Sequence, residues 1–203
     1  MNARKLGPFT QLDWSESAMQ APPTTAFDLP LHSLTGEQVQ MSEIWKEGTT
    51  AFTFVRYLSC IFCKAQVREY KRAEEEIAAA GLRVVIVSPA SVEETTFWAQ
   101  SLDVPYPVYC DPDQAAYAVY GFVKGSPSQL LNPRIVVRGA REVMRGNLPA
   151  LPKGGDPRQL PGTAIVSADG RLLDHHIARD ASDYLDLDDL LEAAKRIESL
   201  IAT

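Results

Sequence analysis

The sequence predicts an α/β fold in which a mixed central sheet is flanked by helices. Three observations predict it. The stretch from Phe52 to Tyr70, FTFVRYLSCIFCKAQVREY, carries an apolar, β-prone run through Cys60-Ile61-Phe62-Cys63 into an amphipathic helix. Leu82 to Ser88 is a nearly continuous run of β-branched residues, the pattern of a strand buried on both faces. Strand-like and helix-like segments then alternate along the 203 residues, which implies parallel strands joined by crossover helices.

In chain order, residues 1–24 read as an extension, with Ala21-Pro22-Pro23-Thr24-Thr25 as a linker and Phe9, Leu12 and Trp14 as an apolar arm. Leu34-Thr35-Gly36-Glu37 reads as a hairpin turn between short strands, and Met41 to Trp45 as a brief helical turn. After the strand that leads to Cys60, the second cysteine is expected to open one helix. Its apolar face is Val67, Tyr70, Ala73, Ile77 and Ala80, and Gly81 is its cap. Ser91-Val92-Glu93-Glu94 is a capping box that starts a helix through about Leu102. Val108 to Cys110 is a short strand, and Gln114 to Tyr120 a short helix stopped by Gly121. Residues 122–160 are irregular. Within them the basic stretch Arg134 to Arg145 fits either a strand or a helix, and the segment is either a substrate or partner surface or a solvated insertion. Thr163 to Ser167 and Leu172 to Ile177 are strands joined by the turn Ala168-Asp169-Gly170-Arg171. A last helix spans about Leu187 to Ile201, with Asp188 and Asp189 at its positive end.

The chemistry is concentrated at Cys60 and Cys63. A thiol in the first turn of a helix meets free N–H groups and the positive end of the dipole, and both favour the reactive thiolate. Cys60 is therefore the expected nucleophile. Cys63, one turn on, is placed to attack a mixed disulfide or a sulfenic acid at Cys60. Two other readings stand beside this one: half of a zinc site, or inert thiols. The remaining soft ligands are Cys110, His32 and the adjacent pair His175 and His176, which lack the usual ligand spacing, so no metal is expected. Cys110 reads as a small buried residue that could serve as an alternate resolving thiol, His176 as a structural histidine, and Arg179 as the ion-pair partner of Asp180 and Asp183.

Composition narrows the class. Hydrophobic content is 45% and the net charge is −6, with no basic patch evident on reading, so nucleic acid is not an expected partner. The N-terminus lacks the apolar core of a signal peptide and no run approaches a membrane span, so no membrane partner is expected. Three cysteines do not form a secreted disulfide framework, which points to the cytoplasm.

With these residues in hand, the sequence resembles the thioredoxin superfamily and, within it, the AhpC/TSA branch of peroxiredoxin-like proteins. The resemblance runs from about Ala26 to Ile201. It is carried by Phe54-Val55-Arg56 before the two cysteines, Val84 to Ser88, Tyr106 to Pro112, Gly155 to Thr163, Asp169-Gly170, and His176 to Asp183. It implies a thioredoxin-like fold with peroxiredoxin-like additions: an extension over residues 1–24, a domain over 25–203, and an insertion at about 122–160. It also implies three departures. Where the family has Pro-x-x-x-Thr-x-x-Cys, the proline position holds Thr53 and the threonine position Tyr57, and Pro161 stands where a later strand is preceded by arginine. Pro161 instead resembles the thioredoxin proline that is cis and faces the dithiol. Ser59, Arg56 and Phe62 join it as expected substrate- or partner-facing residues, Ser59 as a hydrogen-bond donor and Phe62 as an apolar surface.

The function implied is a thiol-based antioxidant oxidoreductase, peroxiredoxin-like, that cycles Cys60 and Cys63 between dithiol and disulfide to reduce peroxide. No cofactor is needed, a thioredoxin- or glutathione-type reductant serves as partner, and a homodimer is possible. The alternatives are a thioredoxin-type protein disulfide oxidoreductase and a non-enzymatic redox-sensing interaction module.

Overall fold

The structure, a computed structural model, describes residues 24–201. The apolar arm of Phe9, Leu12 and Trp14 lies outside them. Among the described residues, the strands are β1 (Thr24–Thr25), β2 (Pro30–Ser33), β3 (Gln38–Gln40), β4 (Thr50–Phe54), β5 (Arg83–Ser88), β6 (Val108–Cys110), β7 (Gly162–Val166) and β8 (Arg171–Ile177). They form one sheet in the order β1-β8-β7-β4-β5-β6-β2-β3. β4, β5 and β6 are parallel, and the remaining pairs are antiparallel. Thr24–Thr25, read as linker, instead pairs with Leu172 and Arg171 at the sheet edge.

Helices cover both faces. The alternation along β4 and β5 explains why their sequences are apolar throughout. Ala51, Val55, Val84 and Ile86 face α2 (Ile61–Arg72), α3 (Glu74–Ala79), α4 (Val92–Leu102) and α8 (Leu187–Ile201). Phe52, Phe54, Val85 and Val87 face the opposite way, onto α1 (Met41–Trp45) and α5 (Ala115–Val119). Phe54 is fully buried and meets Tyr117 edge-on at 5.0 Å and Phe122 at 4.8 Å. Burial of each such side chain contributes on the order of 1.5–3 kcal/mol. Gly162, paired with Phe54 across β4 and β7, has no room for a side chain, because a Cβ there would lie 2.1 Å from the Phe122 ring.

Two helix expectations are corrected. Helix α2 begins at Ile61 with Cys60 as its N-cap, so Cys63 is the third helical residue and not the first. The continuous helix expected to Ala80 is broken at Ala73, whose backbone (φ −110, ψ 22) leaves the helical region and whose N–H bonds to Tyr70 O at 3.0 Å. Gly81, at φ +73, ends α3 in the left-handed conformation that glycine adopts without strain.

The basic stretch in the insertion is a helix, α7 (Pro133–Met144), preceded by a single turn, α6 (Pro127–Leu130). Asn132 caps α7 by accepting from Ile135 N at 3.1 Å, and Pro133 occupies its first turn, where no N–H is needed. The rest of the insertion, residues 145–160, runs as a strap back across the start of α2.

Candidate active site

The site forms where β4 ends and α2 begins. Val55 N still bonds to Val87 O at 2.9 Å, and the chain then turns so that Cys60 N donates to Tyr57 O at 3.1 Å. This places Cys60 at the helix N-terminus. Both thiols are reduced and buried, and Cys60 is 1% exposed.

Arg56 organises the site. Its side chain is 5% exposed, and it donates Nε to Gln159 O at 2.7 Å, Nη2 to Pro157 O at 2.6 Å and Nη1 to Ala181 O at 3.4 Å. Nη1 also lies 3.8 Å from Cys60 Sγ, and the guanidinium sits 5.2 Å from the centre of the Tyr57 ring. Among the described residues no carboxylate lies within ion-pair distance of Arg56. Carbonyl dipoles satisfy its N–H groups but leave its charge uncompensated, so a thiolate at Cys60 is the anion nearest to hand.

The two thiols are pushed apart in acidity. Burial disfavours the Cys60 thiolate. A hydrogen bond from the Cys63 thiol, the Arg56 charge and the amides of Cys63 and Phe62 outweigh it, and bring Cys60 down to about 6. Cys63 is pushed well up by burial and by its hydrogen bond and proximity to Cys60, although Arg56 N donates to its sulfur at 3.3 Å. The surroundings thus favour the thiolate at Cys60 and the protonated thiol at Cys63. Because the folded state depresses the Cys60 value, its stabilising contribution is present above the ordinary thiol range and is lost as pH falls through about 6. Raising the pH from about 5 to about 8 is expected to stabilise the wild type by about 2.5 kcal/mol more than it does Cys60→Ser. Urea denaturation across that range checks this, and parallel curves for the two proteins would refute it.

The strap is tied to the same turn. Ser59 Oγ donates to Leu151 O at 2.8 Å and accepts from Lys153 N at 2.8 Å, and Leu58 N donates to Lys153 O and Gly154 O, each at 3.1 Å. Gly154 and Gly155, at φ +64 and +119, let the strap pass close over Leu58 and Pro89, where a Cβ would clash.

The expected substrate-facing residues therefore separate. Arg56 faces Cys60. The Ser59 hydroxyl is engaged by the strap, through Leu151 O and Lys153 N. Phe62 does not present an apolar surface. It is 5% exposed and packs in the core with its ring against Gly139 of α7. Pro161 is buried, and the bond before it is trans, since the described residues contain no cis peptide. It precedes the first residue of β7, a position that requires no N–H donor. Cys110 lies on β6, fully buried, with Sγ 3.9 Å from Ser91 O. His176 Nε2 lies 3.3 Å from Asp183 O, and Arg179 pairs with Asp183 at 2.9 Å. His175 Nε2 lies 2.9 Å from Tyr120 O, and burial lowers its value to about 4. Among the described residues no three His, Cys, Asp or Glu side chains are grouped to hold a metal.

Sequence reasoning missed the carbonyls that hold Arg56, although a signal was present. Pro157 and Gln159 lie in the family-like stretch from Gly155 to Thr163, and Ala181 in that from His176 to Asp183. Gln159 is held by its own amide, which donates to Phe122 O at 2.6 Å and Leu160 O at 3.0 Å. The Ala181 loop is shaped by Asp180, which accepts from Ser182 N and Oγ.

The model of the AhpC/TSA family matches residues 20–174. The chain belongs to the AhpC/TSA family. This AhpC/TSA protein is a thiol-dependent oxidoreductase of the thioredoxin superfamily. It is 24% identical over 113 residues to the thioredoxin-like protein AAED1, chloroplastic, of Arabidopsis thaliana, a match over 56% of this chain and 45% of that one. The chain thus spans less than half the length of that plant relative. It is 26% identical over 174 residues to the prostamide/prostaglandin F synthase of Bos taurus, covering 80% of this chain and 82% of the synthase. The peroxidoxin BcpB of Mycobacterium tuberculosis shares the fold, with a TM-score of 0.64 and 17% identity over 86% of this chain and 96% of that one.

Proposed function

We propose that this AhpC/TSA protein reduces peroxides with Cys60 as the peroxidatic thiolate and Cys63 as the resolving thiol. The observation that carries the reading is the Arg56 guanidinium, buried, held by three carbonyls, free of carboxylates and 3.8 Å from Cys60 Sγ. It stands in for the family's later arginine, whose position holds Pro161. A preorganised cation beside the sulfur stabilises the thiolate and the charge that develops on the departing oxygen. The Cys60 thiolate attacks the terminal oxygen of the hydroperoxide, the O–O bond breaks, and the alkoxide leaves and takes up a proton as an alcohol. Cys60 is then a sulfenic acid. The Cys63 sulfur attacks it, the S–S bond forms, and the hydroxyl departs with the Cys63 proton as water. A thioredoxin-type dithiol, or glutathione, returns both sulfurs to thiols by exchange. With Cys60 covered, the peroxide reaches it when the strap lifts.

Disulfide exchange is the second reading. It is favoured by the Cys-x-x-Cys spacing at a helix N-terminus and by Tyr57 where a peroxide-gripping threonine is expected. Stoichiometric hydrogen peroxide added to the reduced protein decides between them. Intact mass and peptide mapping are expected to show loss of two hydrogens and one Cys60–Cys63 linkage. Thiols that remain reduced with peroxide but are oxidised readily by a protein disulfide would establish exchange instead, and a persistent Cys60–Cys110 bond would overturn the pairing.

A further inference from the structure

Helix α7 turns its polar side inward and its valines outward. Val136, Val137, Val143 and Met144 are exposed, and nothing among the described residues covers them. On the inward side, Arg134 pairs with Asp183 at 3.4 Å, Arg138 donates to Ser182 O at 2.5 Å, and Glu142 is buried. The side of α2 that faces α7 becomes polar too after its first turns. Phe62 packs against Gly139. Beyond that contact a cleft of about 520 Å³ opens between Arg68, Glu69 and Arg72 of α2 and Glu142, Arg145 and Asn147 at the end of α7. Its volume is that of a small-molecule site, and its lining is charged.

Part of that charge is satisfied within the fold. Glu142 accepts from Arg145 Nη1 at 2.8 Å and from Asn147 Nδ2 at 2.7 Å, and Asn147 Oδ1 accepts from Arg68 Nη1. This chain of bonds ties the two walls together. The rest is not satisfied. Among the described residues no carboxylate lies within ion-pair distance of Arg68 or Arg72, and the Arg72 side chain makes no hydrogen bond. The two arginines stand one helical turn apart, where like charges repel. Glu69, between them in sequence, has the opposite lack. Its Oε2 is buried without a hydrogen-bond partner among the described residues. Burial and the like charge of Asp186 push its carboxyl up, against the Leu187 amide and the more distant Arg145. A buried acceptor left unmatched is costly, so it marks a place where a donor belongs.

Two guanidiniums without carboxylates and one carboxylate oxygen without a donor, side by side in one cleft, require a ligand of complementary charges. We propose that the α2–α7 cleft binds an acidic amino acid or short acidic peptide, with its two carboxylates on Arg68 and Arg72 and its ammonium on Glu69. The guanidinium fork takes a carboxylate through two parallel hydrogen bonds, and the ammonium supplies the donor that Glu69 Oε2 lacks. An inorganic anion would serve the arginines and leave Glu69 as it is, and a simple amine would do the converse. The cleft also reaches the strap. Arg145 and Asn147 stand at its root, on either side of Gly146, whose φ is +86. Further along, the same strap is tied to Ser59, the neighbour of Cys60. A ligand that bridges α2 and the root of the strap therefore holds the strap down and slows access to Cys60. This effect rests on the strap having to lift, as proposed above, and holds whichever oxidant Cys60 meets.

The test titrates the full chain, with its thiols reduced, by calorimetry. The probes are glutamylglycine, which carries two carboxylates and an ammonium, and N-acetylglutamylglycine, which lacks the ammonium. Saturable binding of glutamylglycine with a Kd below about 1 mM is expected, and N-acetylation should weaken it at least about tenfold. Arg72 is exposed and bonds to nothing in the fold, so Arg72→Gln should fold normally and bind at least about tenfold more weakly. Glu69→Gln should abolish the preference for the free ammonium. No saturable binding by the wild type, or unchanged binding in Arg72→Gln, overturns the site. Equal binding of the two probes by the wild type would make the cleft a plain anion site and overturn the ligand class. Saturating glutamylglycine is also expected to slow iodoacetamide alkylation of Cys60 by about threefold or more, and to have no such effect in Arg72→Gln. Binding without any slowing would remove the link to the strap and leave the site standing.

Discussion

Cys60→Ser is expected to lower peroxide consumption by at least about 10³-fold, because it removes the sulfur proposed as the peroxidatic nucleophile. Cys63→Ser is expected to behave differently. It leaves Cys60 beside Arg56, so the first oxidation proceeds at close to the wild-type rate, but the sulfenic acid has no neighbour to condense with. Stopped-flow oxidation followed by intact mass separates the two. The Cys63 variant should gain one oxygen in a single turnover and then stall, with multiple-turnover activity lost. Only a modest difference is expected in the first step, since the Cys63 thiol also donates a hydrogen bond to the Cys60 sulfur. Full steady-state activity in Cys63→Ser would eliminate Cys63 as the resolving thiol. Full activity in Cys60→Ser would dismiss the entire scheme.

The second large effect lies at Arg56. With Arg56→Met, the Cys60 sulfur loses its nearest cation, and the burial that opposes ionisation remains. The midpoint of the pH profile for Cys60 alkylation is expected to rise from about 6 by at least one unit. At neutral pH the peroxide rate then falls about tenfold or more, and recovers as pH is raised through the new midpoint. Arg56→Lys keeps the charge but not the fork that reaches three carbonyls, so it should shift the profile less. Both variants cost stability, on the order of 1–3 kcal/mol for each carbonyl left without a donor, so circular dichroism accompanies the kinetics. The pH profile isolates the electrostatic role, because general loosening of the fold would lower the rate without moving the midpoint. An unmoved midpoint in Arg56→Met would show that helix amides and Cys63 alone lower the Cys60 value.

Cys60, Cys63 and Arg56 lie within eight positions of one another, but only part of their surroundings is local in the chain. The dithiol, its place after a central strand and at the start of a helix, the β-branched core strand and the terminal hairpin follow from periodicity over short windows. Burial on two faces, capping and the turn at Asp169-Gly170 leave local signatures, so these were legible in the sequence alone. The helix amides that favour a Cys60 thiolate are a local feature, while the Arg56 charge beside it is not. The role of Arg56 did not follow. Its three acceptors lie 101, 103 and 125 residues further along the chain, and only the closed fold delivers them. The same reason governs Ser59 and Phe62: the strap that engages the Ser59 hydroxyl and the α7 glycine against the Phe62 ring come from the distant insertion. The inverted face of α7 was hidden for a related reason. A helix with one apolar and one basic side does not say which side turns inward, and here the acidic loop around Asp180 and Asp183 claims the arginines and leaves the valines outside. The sequence by itself determined the fold and the place of the two cysteines at the start of a helix. Tertiary structure alone decided what surrounds that pair, because the charge, the covering strap and the outward apolar stripe all depend on contacts between segments far apart in the chain.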